Sequence, residues 1–182
     1  GDVGGYVGWG VDYESVRGVE QVDDGGVRWY EQAADQGHAV VQFWLRVAYE
    51  NDRGVEQSDE GAVHWYRQAA DQGHADAQFW LGVAYRTGRG VQPSDEEAAR
   101  WYYQAADQGF RAPQFRLGLI YEDGRGVEQS DEEAVHWYRR AADQGHAAAQ
   151  FCLGVAYQTG ESVEQRDEEA VQWYRQAADQ GE

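Results

Sequence analysis

The 182-residue sequence has no lysine and no methionine, one cysteine and two prolines. Without lysine there can be no P-loop, no S-x-x-K nucleophile and no Schiff-base amine. The single Cys152 excludes a disulfide within the chain and leaves the redox compartment unindicated. No run of 18 apolar residues occurs, so no helix is expected to span a membrane. The opening GDVGGYVGWG lacks the basic and apolar regions of a secretion signal. It also lacks the Ser or Thr of a myristoylation signal. The sequence reads as a soluble chain whose compartment is not indicated. Positive charge is scarce too: 15 arginines face 33 acidic residues, a formal net charge of −18. That balance excludes nucleic acid, whose phosphates would be repelled, and an anionic membrane surface.

What the sequence has is repetition. Hydrophobic residues make up 42% and aromatics 14% of the chain, enough to bury a core. Trp29, Trp65, Trp101, Trp137 and Trp173 stand 36 residues apart, each followed by Tyr. AADQG begins at Ala33, Ala69, Ala105, Ala141 and Ala177, in the same register. QFWLGVAY (78–85) returns as QFWLRVAY (42–49), QFRLGLIY (114–121) and QFCLGVAY (150–157). An unbroken period of this length marks a stacked array. The expected units of this single array are 1–37, 38–73, 74–109, 110–145 and 146–182, the first of them degenerate.

Each copy reads as two helices, which makes the chain all-α. In the third copy, helix A is expected over about Ala75–Thr87, with Ala77, Leu81 and Tyr85 on one face. Gly88 ends it and GRGV turns the chain. Val91 recurs as Val19, Val55, Val127 and Val163, and is expected to be buried under the turn. Helix B opens at SDEE, with Ser94 as N-cap and Glu97 completing a capping box. Ala98, Trp101, Tyr102 and Ala105 form its apolar stripe. Several copies depart from this pattern. Glycines crowd the first helix A and weaken it. Gly61 replaces the capping-box Glu in the second copy. Pro113 falls in a first helical turn, where it is tolerated.

The run Ala77, Leu81, Gly82, Tyr85, Gly88, Gly90, Val91, then Asp95, Ala98, Trp101, Tyr102, Ala105, Ala106 and Gly109, resembles the Sel-1-like repeat family, a tetratricopeptide-like group of α-solenoids. The resemblance implies a right-handed superhelix with helix A lining its concave side, and adaptor or scaffold work among proteins. Arg46 stands where the resemblance implies a packing glycine. Cysteine-rich relatives carry a disulfide in each repeat, and hydrolase activity has been ascribed to them; this chain lacks those cysteine pairs.

Comparing the copies with one another separates fixed from variable positions. The Trp–Tyr pair, the Leu and Tyr of helix A and the turn valine hardly change. The most variable columns lie on helix A and fall on one stripe. They give a candidate protein-binding groove of Trp44, Asp76, Trp80, Val83, Arg86, Thr87, Arg116, Leu119 and Cys152. Trp and Arg are the residue types that dominate binding hot spots. The expected partner is a protein or peptide segment. The SDEE clusters act as caps, and as an acidic ridge they would favour a basic partner. Head-to-tail self-association through the stacking faces is the rival reading. No cofactor and no catalytic residue is expected. His38, His74 and His146 recur at one turn position with His64 and His136 on helix B, and read as surface histidines. Helices about 8–10 Å apart cannot bring them within ~2 Å of one zinc ion.

Overall fold

The structure is a computed structural model that describes residues 58–160 and 162–179. The chain divides into two compact units, Gly1–Pro93 and Ser94–Glu182. The first contains α1 (Asp59–Asp71) and α2 (Ala75–Thr87). The second contains α3 (Asp95–Asp107), α4 (Arg111–Asp123), α5 (Asp131–Asp143), α6 (Ala147–Thr159) and α7 (Asp167–Ala178). Helices α1, α3, α5 and α7 are of the B type, and α2, α4 and α6 of the A type. No strand occurs among the described residues. The chain is an all-α repeat protein. The degenerate first copy, Val19, Trp44, Arg46 and Val55 lie outside the described residues.

Local sequence explains the helix limits. The side chains of Ser58, Ser94 and Ser130 accept the N–H groups of Gly61, Glu97 and Glu133 at 3.0, 3.2 and 3.3 Å. Such a cap satisfies one of the unpaired donors of a first turn. Gly61 therefore does not cost α1 its cap, because the donor is backbone. Only the serine half of the expected capping box forms at α3. The Glu97 carboxylate pairs with Arg100 at 2.6 Å instead, and that ion pair competes for it. Gly88, Gly124 and Gly160 close α2, α4 and α6 in the left-handed conformation. Pro113 is buried in the first turn of α4, as its ring geometry allows.

Within a copy, a tyrosine ring lies on a bare helix. A Cβ added to Gly118 on α4 would meet the Tyr138 ring of α5 at 2.3 Å, and one added to Gly154 on α6 would meet Tyr174 of α7 at 2.5 Å. Between copies, a glutamine takes the leading role. Gln78, Gln114 and Gln150 are buried. Each donates its side-chain amide at 3.1 Å to a carbonyl in the last turn of the preceding B helix, respectively Ala70, Ala106 and Ala142. Each of those carbonyls also accepts a backbone N–H of the turn that follows, from Gly73, Gly109 and Gly145, so the glutamine is a further donor. Around the third of these bonds, Ala134, Val135, Tyr138, Ala141 and Ala142 of α5 form one buried cluster with Ala149 and Leu153 of α6. Turns bind neighbouring copies as well. Cβ atoms on Gly90 and Gly126 would come within 2.1 Å of the Asp59 carbonyl oxygen and 2.3 Å of the Asp95 carbonyl carbon. Only glycine fits there.

One expectation needs correction. The turn valines Val91, Val127 and Val163 are half-buried, not buried. The turn covers one side of each, while flanking residues such as Arg125 and Glu128 are exposed. Tyr85 and Tyr121 are half-buried, and among the described residues of this column only Tyr157 is buried. The Tyr85 hydroxyl accepts a hydrogen bond from Arg67 at 2.5 Å, as Tyr157 does from Arg139.

These contacts predict two effects measurable by urea denaturation. Replacing a mid-helix glycine with alanine ordinarily stabilises by about 1 kcal/mol. Gly118→Ala should instead destabilise, because overpacking against Tyr138 costs roughly 1–3 kcal/mol. Gln150→Ala should cost about 2–3 kcal/mol through the lost bond and the space left behind. Gln150→Glu should cost at least as much at pH 7, since it sets an acceptor against the Ala142 carbonyl. A stable Glu variant would refute the role given to this bond.

Candidate functional site

In the first unit, α1 and α2 form the walls of a groove. Asp59, Ala62, Val63 and Tyr66 line it from α1, and Trp80, Val83, Ala84 and Thr87 from α2, with Arg89 of the following turn. Trp80, Val83 and Thr87 share this face because they follow one another at helical spacings of three and four. Trp80 is 37% exposed, and its indole meets the Phe79 ring edge-on at 5.4 Å. The Thr87 hydroxyl donates to the Val83 carbonyl at 2.8 Å, which turns its methyl rather than a free hydroxyl to the groove. Arg89 and Asp59 join at 2.7 Å along the rim. The floor is apolar and the edge charged.

The structure thus gathers three of the candidate residues of α2. Asp76 and Arg86 are exposed but do not line the groove. Trp44 lies outside the described residues. The wall supplied by α1 was missed in the sequence, where the lining was assigned to A helices alone. The signal available was the small Ala62 one turn before Tyr66, which leaves room beside the ring.

In the second unit the column of Trp80 is more enclosed. Arg116 is half-buried, and Leu119 and Cys152 are half-buried against the α5–α6 cluster. The Tyr138 hydroxyl donates to Glu122 at 2.7 Å. Burial, with the Glu122 carboxylate nearby, pushes the Cys152 thiol up to about 11, against a smaller opposing effect of the neighbouring Tyr138 hydroxyl. Burial and the bond to Glu122 likewise raise the Tyr138 phenol. Leu119 and Cys152 are therefore packing residues first. The reason is volume: a thiol fits between helices where the larger indole of Trp80 protrudes.

The described histidines divide in two. His64 and His136 are exposed. His74 and His146 are half-buried and cap α2 and α6, accepting from Ala77 and Ala149 N–H at 3.4 and 3.3 Å. That capping role was not read from the sequence, although a side-chain acceptor just before an A helix was its signal. Phe110 holds the same place before α4 and makes no side-chain cap. Tyr103 was also missed. It occupies the column of Arg67 and Arg139, whose guanidinium groups bond Tyr85 and Tyr157. Lacking that reach, Tyr103 rests edge-on against Trp137 at 5.7 Å and stays 50% exposed. Among the described residues no group of three or more His, Cys, Asp and Glu is placed to hold a metal ion. No described helix is long and apolar enough to cross a membrane.

The profile of the family described as Sel1 repeat matches residues 7–38, 45–74, 75–110, 114–146 and 147–182. Among solved structures, the chain is similar to a protective antigen with an SLR fold present in uropathogenic Escherichia coli strains. The identity is 32% and the TM-score 0.91, over 98% of this chain and 38% of the antigen. It is also similar to a Sel1 repeat protein from Oxalobacter formigenes, with 34% identity and a TM-score of 0.83, over 100% of this chain and 74% of that one. Helicobacter pylori cysteine rich protein B shares the fold at 17% identity and a TM-score of 0.56, over 72% of this chain and 97% of that protein. This chain thus spans well under half the length of the first of these relatives. A search of curated proteins finds no match. Five repeats in one register, with helix pairs at the same period, place the chain in the Sel1 repeat family.

Proposed function

We propose that this chain is a non-catalytic scaffold that holds a protein or peptide segment in the groove between α1 and α2. Sel1 repeat proteins generally serve as protein-interaction scaffolds. The observation that carries the reading is the partly exposed Trp80 above an apolar floor formed by Ala62, Val63, Val83 and Ala84. Large aromatic side chains in such settings supply most of the energy of protein contacts. A net charge of −18 favours a segment with basic residues, drawn in by long-range attraction. Two features support the non-catalytic part. The one thiol is held protonated at neutral pH, and the described histidines either cap helices or stand exposed.

The test compares a groove tryptophan with a core tryptophan. Trp101 is buried, so Trp101→Ala should cost roughly 3–5 kcal/mol of stability. Trp80→Ala should cost nearer ~1 kcal/mol. Once a partner is captured and identified, its titration should show binding to Trp80→Ala weakened by about 2 kcal/mol or more. Unchanged binding would move the interaction surface away from the groove. The thiol gives a second check. At pH 8, alkylation of Cys152 in the folded chain should run about a hundredfold slower than in urea, following its smaller thiolate fraction. Equal rates would reopen a nucleophilic role.

A further inference from the structure

The turn that opens α6 concentrates several contacts on one imidazole. His146 caps α6 through Nδ1, which accepts the Ala149 N–H at 3.3 Å. Its ring stacks on Phe115 of α4, with centroids 4.5 Å and planes 27° apart. Its backbone N–H donates to the Ala141 carbonyl of α5 at 3.1 Å. Arg111, at the start of α4, donates to the Gln144 and Gly145 carbonyls of the same turn at 3.3 and 3.5 Å. One side chain therefore connects α4 and α6 beside the end of α5.

We infer that His146 is a pH-sensitive latch, which holds α6 against α4 and α5 when neutral and loosens that junction when protonated. The geometry requires an unprotonated Nδ1, since an imidazolium offers only donors and the Ala149 N–H is itself a donor. The new charge would also stand at the positive end of the α6 dipole. The charged groups that face the ring are Arg111 and Arg116, both cations on α4. α5 and α6 present it with a backbone carbonyl and a backbone N–H. Burial first, then Arg111 and more weakly Arg116, hold the imidazole below its usual value, against a smaller opposing effect of its own backbone.

The sign follows from proton counting. The folded chain binds the proton less readily than the unfolded chain, whose histidine titrates near 6.5. The latch is fully in place above that value and is lost as pH falls through the lower, folded one. Loosening, not unfolding, is the expected result, because α4 forms with Phe110 and no side-chain cap at all.

Hydrogen exchange over residues 147–153 tests this at pH 7.5 and 5.0, with rates corrected for intrinsic pH dependence. The chains compared are the wild type, His146→Asn and His146→Phe. Asparagine caps at either pH, so its response reports every other titrating group. Acidification should speed exchange in the wild type about fivefold more than in His146→Asn, the factor of one helix cap. His146→Phe should exchange fast at both pH values. Equal responses of wild type and His146→Asn would overturn the inference. So would an NMR titration of the wild-type ring that placed its pKa at or above 6.5, a measurement that needs no variant to fold.

Discussion

A buried glutamine amide reaching the last-turn carbonyl of the preceding helix is the contact on which the stacking depends. Buried amides are costly unless paired. Gln78, Gln114 and Gln150 each place their amide on an Ala carbonyl of the preceding B helix, which ties the position of one helix to the other. Hydrophobic contact alone would let helices slide, whereas a directional bond in a dry setting fixes their register. The alanines around it serve the same end. Ala69, Ala105 and Ala141 are fully buried and small enough for the following A helix to come close.

The tyrosine on glycine does within a copy what the glutamine does between copies. Tyr138 against Gly118 and Tyr174 against Gly154 set the spacing of the α4–α5 and α6–α7 pairs. Once spacing and register are fixed by these few residues, the remaining positions of helix A are free to differ. Trp80, Arg116 and Cys152 occupy one column with three quite different side chains. The groove in the first unit is a place where the array leaves a large aromatic ring partly uncovered.

Much of this was legible in the sequence. Serine, acidic residues and glycine at fixed offsets placed the helix ends of α2 and α3, because capping is a local interaction. The apolar stripe of α3 followed from spacing alone, and Trp101, Tyr102 and Ala105 are buried as expected. What escaped was contact between residues far apart in the chain. Gln150 looks like any polar residue until Ala142 is beside it. The second turn glycine looks interchangeable until the Asp95 backbone is found against Gly126. The same holds for the groove. Trp80, Val83 and Thr87 could be found by helical spacing, but the α1 wall depends on how two helices cross. Leu119 and Cys152 share the stripe and yet pack inward, because neighbouring volume, not spacing, decides their exposure.

The glycine pressed on the preceding copy carries a consequence for how such a gene can change length. Gly90 and Gly126 each fit against a backbone supplied by the copy before. An insertion of a few residues in that turn would lift the glycine off its seat and leave a side chain in its place. Gain or loss of a whole 36-residue word that carries this glycine keeps the spacing between seats. Near-identical words such as AVHWYRQAADQGH (62–74) and AVHWYRRAADQGH (134–146) are also the substrate on which misaligned recombination acts. Steric intolerance within the turn, set against the regular spacing of whole words, favours change of length in steps of one helical pair.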